Sequence, residues 1–394
     1  MKKVALLGCG TVGGGVAAIL CGSAALLEQR VGERIELKYV LEPRGCAGEP
    51  WEDRVVSDFS VIENDPEIAV VAESIGGVGV AYDFVKRALR SGKSVVTPNK
   101  QLIAEKGLEL LSIAKEKGVF LLFEASVGGG IPLLRPLSSC LAANRIERFC
   151  GIVNGTTNFI LTNMIEQGRS FDDALSEAQR LGYAEANPAA DVDGIDAQRK
   201  LCILSDLCFG SDLSPRRVPA EGIRGVAEED AAFADRLGYA IKLLAYARRL
   251  DGDRLTAFVA PQLVKKGTPL SCVGGVMNAV SVTGDAVGEV LFYGAGAGRM
   301  PTASAVVGDI VDILRGTARL PAWGPERPER YVDPEDVPSR WYVRYRNGCA
   351  NTLTEQCASA DGECAGITAE AMTRAELKEK LGFADLLKCF RVMD

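Results

Sequence analysis

The stretch KVALLGCGTVGGG, residues 3–15, decides how the rest of the chain reads. Residues 3–7 are a short apolar run, the pattern of a strand buried on both faces of a parallel sheet. Gly8-Cys9-Gly10-Thr11-Val12-Gly13 follows at once, and an apolar helical pattern continues through Leu27. G-x-G-x-x-G is a weak signal alone. Between a strand and a helix it predicts a dinucleotide-binding turn. Gly8 permits the tight turn, Gly10 lets the backbone approach a pyrophosphate, and Gly13 allows close helix–strand packing. Thr11 and Val12 open a helix whose N-terminus attracts the anion.

The same stretch has a second reading. Lys2 and Lys3 precede a run from Val4 to Leu27 without a formal charge, which is also the look of a signal peptide or a membrane span. Gly8, Gly10, Gly13, Gly14, Gly15 and Gly22 make that run a poor apolar span. No other segment approaches transmembrane length. The sequence therefore predicts a cytoplasmic chain with no membrane partner.

Outward from the loop, short apolar runs alternate with helical patterns. Strands are expected at 36–41, 68–72, 94–97 and 119–124, and helices at 82–90 and 105–117. This alternation predicts an α/β fold, a Rossmann-type doubly wound parallel sheet, over residues 1–130. After Gly128-Gly129-Gly130 the character changes. Residues 131–298 read as an α+β substrate domain, with strands at 149–153 and 255–260. A second glycine cluster, Gly294-Ala295-Gly296-Ala297-Gly298, precedes a helix at 302–314, and residues 299–320 are expected to complete the first domain. Pro321, Pro325, Pro328, Pro334 and Pro338 mark residues 321–339 as a linker. Residues 340–394 form a small α+β tail, with strands at 341–345 and 387–393 and a helix at 368–381.

Glu42 ends the second strand, where a carboxylate can bind a ribose 2′-hydroxyl. Arg44 would instead meet a 2′-phosphate. NAD and NADP both stay open, and the carboxylate, which repels phosphate, tilts the reading toward NAD. A solvated charged turn is the alternative.

The composition narrows the chemistry. The chain has 394 residues, enough for two or three domains, with 47% apolar and 25% charged residues. Its net charge of −7, without a basic block, argues against nucleic acid as a partner. Histidine is absent, which excludes Ser-His-Asp and Cys-His catalysis and His-ligated metals. Proton transfer must fall to Lys, Tyr, Cys, a carboxylate or water. The twelve cysteines form no C-x-x-C pair and read as small buried hydrophobes in a reducing compartment.

Several motifs carry a resemblance. GCGTVGGG (8–15), ESIGG (73–77), VVTPNKQLIA (95–104), EASVGGGIPLL (124–134), GIVNGTTNFIL (151–161), LGYAEANPAADVDGIDAQRK (181–200) and YGAGAGRMPTASAV (293–306) stand in this order. Together they make residues 1–320 resemble homoserine dehydrogenase. The resemblance implies reversible NAD(P)-dependent interconversion of L-homoserine and L-aspartate 4-semialdehyde. It implies that Lys200 exchanges a proton with the substrate oxygen and that Lys100 lies beside nicotinamide and substrate. It implies substrate contacts from Glu185, Asp191 and Asp196, and cofactor contacts from Gly182, Gly296 and Gly298. It further implies a sodium ion held by Glu124, Val127, Gly129 and Ile131, and a homodimer or higher homo-oligomer formed through the substrate domain. The tail loosely resembles a shortened ACT domain, with a polar, degenerate middle at 347–366, and threonine binding there is an expectation of that resemblance.

The residues themselves say the following. Residues 195–208 have helical spacing, so Asp196 and Lys200 share a face. The pair alone reads as a surface ion pair. Glu185, Asp191, Asp193 and Asp196 fall within twelve residues, a cluster suited to an ammonium-bearing substrate. A lysine works as an acid–base group near neutrality only if its pKa falls. Lys100 would supply a second positive charge, whereas Asp196 acts oppositely, so the sign of the net shift stays open. Lys100 follows Thr97-Pro98-Asn99 beyond a strand, at the sheet edge that faces ligands in open parallel sheets. Glu73 has the same position with less specific chemistry. For residues 124–130 a glycine-rich hinge is the plainer reading, and a hard-cation site of carbonyls and one carboxylate rests on the resemblance. The same residues speak against two rival readings. A non-catalytic nucleotide sensor would not keep the lysine and carboxylate set, and a phosphorylating aldehyde dehydrogenase typically pairs its cysteine with a histidine.

Overall fold

The first unit of the chain comprises residues 1–143, 202–215 and 294–326. In the computed structural model, which describes residues 1–325, 327–346, 354–360, 362–382 and 385–393, its chain runs β1 (Lys2–Leu7), α1 (Thr11–Gly22), α2 (Ala24–Val31), β2 (Ile35–Leu41), β3 (Val55–Val56), α3 (Phe59–Glu63), β4 (Ile68–Glu73), α4 (Gly79–Arg90), β5 (Ser94–Val96), α5 (Lys100–Lys117) and β6 (Leu121–Leu122). The strands form a six-stranded parallel sheet in the order β3-β2-β1-β4-β5-β6. The order reverses between β1 and β4, and the crevice at such a switch point is where open α/β sheets take ligands. Val4 to Leu7 of β1 are fully buried, as the unbroken apolar run requires.

The second unit comprises residues 144–201, 216–293 and 327–394. Further elements in chain order are β7 (Ile146–Ile152), α6 (Gly155–Gln167), α7 (Phe171–Arg180), α8 (Ala189–Val192), α9 (Ile195–Phe209), α10 (Glu228–Arg236), β8 (Tyr239–Arg249), β9 (Leu255–Lys265), β10 (Met277–Gly284), β11 (Gly288–Ala295), α11 (Arg299–Arg315), β12 (Trp341–Arg346), β13 (Thr354–Ala360), β14 (Glu363–Thr368), α12 (Arg374–Leu381) and β15 (Asp385–Met393). Nine strands form one sheet, β11-β10-β7-β8-β9-β15-β12-β14-β13. The last strand, β15, lies parallel to β9, with Arg391 opposite Gln262 and Met393 opposite Val264. The tail is therefore part of the sheet. A buried cluster locks it there: Asp230 of α10 accepts from the Tyr342 hydroxyl at 3.0 Å and from Arg344 Nε at 2.7 Å.

Four expectations need correction. The first helix does not run to Leu27. It breaks at Ser23, and α1 and α2 bend by 77°, at the Gly22-Ser23 pair where such kinks fall. Among the described residues no single helix is long and apolar enough to cross a membrane. The helix expected at 368–381 starts at Arg374, because Thr373 and Glu376 form a reciprocal capping box; Thr368 ends β14. The polar middle of the tail contains β13 and β14, although residues 347–353 lie outside the described set. Finally, the start of the proline-rich stretch is docked on the first unit. Trp323 sits edge-on to Phe123 with ring centroids 5.8 Å apart, and its indole N–H donates to Asp212 at 3.1 Å. Among the described cysteines Cys46, Cys150, Cys202 and Cys389 are buried, while Cys140 and Cys272 are exposed.

Candidate active site

The glycine turn is built by contacts that exclude side chains. Gly8 has φ +84°, and a Cβ on Gly13 would sit 2.1 Å from the Gly8 carbonyl oxygen. Ser74 ties the turn to the end of β4, donating to the carbonyls of Leu7 at 3.1 Å and Gly8 at 2.8 Å. Gly10 differs. A Cβ there would meet nothing within 4 Å, so its backbone faces open space at the N-terminus of α1, in front of Thr11 and Val12. That cradle, with no acidic residue in the first helical turn, fits the pyrophosphate of a dinucleotide. Behind it, Gly15 lets α1 approach α11, where an added Cβ would lie 2.9 Å from the Ala303 side chain.

Glu42 is buried at the end of β2. It accepts from the Cys9 amide at 3.0 Å and from the Arg44 amide and Nε at 3.3 and 3.2 Å. The Cys9 N–H, helped by Arg44, holds its carboxyl below the usual range. Arg44 itself is exposed. Beyond β4 the Glu73 carboxylate is fully buried and accepts from the amides of Ile75 at 2.7 Å and Gly76 at 3.0 Å, and from the Thr97 hydroxyl. Asn99 caps α5, accepting from Leu102 N–H at 3.1 Å, and its amide donates to the Gly77 carbonyl at 2.6 Å. Lys100 is thereby the first residue of a capped helix beyond β5, half-buried at the carboxyl edge of the sheet.

The loop after β6 holds Glu124, Val127, Gly129 and Ile131. Both carboxylate oxygens of Glu124 are engaged by main-chain amides, those of Leu133 at 2.5 Å, Leu134 at 2.9 Å and Arg135 at 2.7 Å. Burial pushes its carboxyl up against these three donors. The expectation of a carboxylate ligand is thus corrected: any cation in this loop would be held by carbonyl oxygens, the hard donors sodium accepts. Gly129 has φ +54°, and a Cβ on it would lie 2.5 Å from the Gly296 carbonyl oxygen. The two glycine clusters therefore pack backbone to backbone, and Gly298, with φ +126°, caps α11.

The second unit carries the lysine predicted from helical spacing. Lys200 donates from Nζ to Asp196 at 2.8 Å and to the Val153 carbonyl at 2.6 Å. The pair is buried, with side-chain exposures of 9% and 6%, so the surface reading fails. Asn154, which sequence reasoning passed over, joins the cluster. Its amide donates to Asp191 at 2.7 Å and Asp196 at 2.8 Å, and its oxygen caps α6 through Thr157 N–H at 2.9 Å. An Asn before Gly-Thr-Thr at the end of an apolar strand is a legible N-cap signal; its bridging role is not. Glu185 is exposed, and Gly182 follows α7 with φ +76°. Asp193 pairs with Arg224. Carboxylates, a buried lysine and a capping amide thus form one hydrogen-bonded polar cluster, with the group types that an ammonium-bearing ligand and proton transfer call for.

The chain matches the homoserine dehydrogenase domain over residues 132–311 and the NAD-binding domain of homoserine dehydrogenase over residues 8–124. It is 41% identical to homoserine dehydrogenase from Pseudomonas aeruginosa over 396 residues, covering 98% of this chain and 91% of that one. It is 44% identical to the Bacillus subtilis homoserine dehydrogenase over 350 residues, covering 87% and 80%. This chain belongs to the homoserine dehydrogenase family. The homoserine dehydrogenase from Thiobacillus denitrificans superposes with a TM-score of 0.89 at 37% identity, over 100% of this chain and 98% of that one. A hyperthermophilic archaeal homoserine dehydrogenase, solved in complex with NADPH, gives 0.67 at 30% identity over 79% and 98%. The homoserine dehydrogenase reaction is NAD(P)-dependent hydride transfer between L-homoserine and L-aspartate 4-semialdehyde, and this chain is an oxidoreductase of that class.

Proposed function

We propose that in this homoserine dehydrogenase Lys200 moves the proton. Bound NAD(P) supplies or accepts the hydride. When the aldehyde is reduced, the Lys200 ammonium gives a proton to the carbonyl oxygen as the carbon takes up hydride. In the reverse direction the neutral amine takes the proton from the hydroxyl. The observation that supports this is the buried Lys200, held at 2.8 Å by Asp196 and at 2.6 Å by the Val153 carbonyl in a chain without histidine. Asp191, Asp196 and Glu185 bind the substrate ammonium. Lys100 serves at the nicotinamide end of the cofactor, and Gly182, Gly296 and Gly298 approach it. Nicotinamide absorbance, followed with aspartate semialdehyde and NADH or NADPH, tests the reaction and separates the two cofactors. Absence of turnover with both would refute it.

A sodium ion held by the carbonyls of Glu124, Val127, Gly129 and Ile131 belongs to the same reading. So does a cytoplasmic homodimer, which the exposed apolar side chains Val287, Leu291 and Tyr293 at one edge of the large sheet support. We read the tail as a shortened ACT-like module. Its strands stand in the order fourth, first, third, second, the order of an antiparallel βαββαβ unit. Threonine titration of the intact enzyme is the test. Removing the tail is uninformative, since it would strip β15 from β9. Lack of inhibition in the intact enzyme would count against threonine control.

A further inference from the structure

A cavity of about 150 Å³ lies on the nine-stranded sheet, with Arg148, Arg248, Thr256, Phe258, Gln262 and Arg391 in its wall and neither Lys200 nor Asp196 among its lining residues. The sheet register explains why these residues meet. Arg148 on β7 stands opposite Arg248 on β8, Arg248 stands opposite Thr256 on β9, and Gln262 on β9 stands opposite Arg391 on β15. Directly opposed residues point to the same face, so the register gathers these side chains on one side of the sheet. No carboxylate side chain lines the cavity among the described residues.

The wall is also rich in polar atoms with nothing to bond. Among the described residues, Arg248 Nε, Arg391 Nε, Gln262 Nε2 and the Thr256 hydroxyl are buried without a hydrogen-bond partner. Thr256 is 1% exposed, Gln262 2% and Arg391 8%. Each such orphan costs free energy comparable to a lost hydrogen bond. Arg391 is nevertheless held rigidly. Its guanidinium lies 4.5 Å from the Phe258 ring centroid and 4.7 Å from that of Trp341, and Nη2 donates to the Pro334 carbonyl and to Glu335, each at 2.9 Å. Glu335 takes the outer edge of the guanidinium and leaves Nε unanswered.

We propose that this cavity binds a compact oxyanion, a small carboxylate or phosphate. A guanidinium edge, a hydroxyl and an amide N–H are the donors such a ligand requires, and the Arg248 guanidinium supplies positive charge to it. The ligand would bond β8 and β9 of the sheet body and β15 of the tail at once. Occupancy therefore braces the last strand against its neighbour and stabilises the fold by mass action.

The test is calorimetric titration of the full-length protein with inorganic phosphate and, separately, with succinate, at ionic strength fixed by chloride. The expected result is one saturable site for at least one of them. Phosphate binding alone identifies a phosphate ligand, and succinate binding alone a carboxylate; either supports the proposal. Affinity is expected to fall roughly tenfold or more in Arg248→Gln, as for loss of a charge-assisted hydrogen bond. It should fall less in the near-isosteric Thr256→Val, which keeps the test open if the arginine variant does not fold. Homoserine oxidation should be unchanged in both. Failure of both anions to saturate, or binding indifferent to both substitutions, would overturn the proposal. So would substitutions that change only the sedimentation behaviour, which would give the face to a second copy of the chain.

Discussion

Glu42, Glu73 and Glu124 in the first unit each accept from two or three main-chain amides. In the second unit Asp191, Asp196 and Asp230 are held chiefly by the side chains of Asn154, Lys200, Tyr342 and Arg344. Both arrangements bury charge with partners, but they serve different ends. A main-chain amide does not titrate in the working range and is placed by the turn it belongs to, so the first set fixes loops around the cofactor cradle. Side-chain partners include groups that gain or lose protons, so proton chemistry is expected in the second set.

The largest expected effect tests that division directly. Lys200→Ala should lower kcat by about 10²–10⁴-fold, the usual worth of a positioned acid–base group, while leaving NAD(P) binding intact. Full turnover in that variant would break the comparison. Asn154→Ala removes both the bridge between Asp191 and Asp196 and the cap of α6. We expect kcat/KM to fall about 10–100-fold, equivalent to one hydrogen bond to a charged group, with a lower melting temperature. A change in stability alone would reduce Asn154 to a cap.

Glu124→Gln probes the other side. It should destabilise the protein by about 1–3 kcal/mol in denaturant titrations, because the new amide N–H₂ faces donors, yet leave KM for homoserine unchanged. A selective loss of substrate affinity would place Glu124 in the chemistry.

Lys242 supplies a pH test within the second unit. Burial lowers its pKa from 10.5 to about 8, although Nζ donates to the Asn158 side chain at 3.2 Å and the Val273 carbonyl at 2.7 Å. A lysine depressed in the folded state binds fewer protons there than in the unfolded chain. Its cost is complete below about pH 8 and disappears as pH rises to 10.5. Stability should therefore gain with pH across that window, and Lys242→Met should flatten the slope in melting curves. The smallest effect belongs to Arg44→Ala. Its exposed guanidinium should change KM for NADPH by up to about fivefold and leave NADH nearly unaffected.

Much of the nucleotide unit is legible residue by residue. The glycine turn, β1, β4 and α4 follow from apolar periodicity and from the steric demands of a few adjacent positions. Asp196 and Lys200 were also legible, since i,i+4 spacing on a helix brings the side chains together. Their burial was not, because it depends on Val153 and Asn154, 47 and 42 residues away from Lys200 and Asp196 respectively. The tail was harder still. Its strand and helix patterns are weak, and α12 begins where Thr373 and Glu376 cap it rather than where the helical pattern starts.

From the sequence alone came the dinucleotide turn, the absence of imidazole chemistry, the lysine on a carboxylate-bearing helix face and the family resemblance. These rest on short-range rules: the period of strands and helices, the torsional freedom of glycine, and the presence or absence of a functional group. Only the folded chain decided that Glu124 spends its carboxylate on amides, that Asn154 gathers two aspartates, and that β15 completes the large sheet beside β9. Each of these depends on which distant backbone or side chain arrives at a buried group, and so on tertiary packing, which local patterns do not specify.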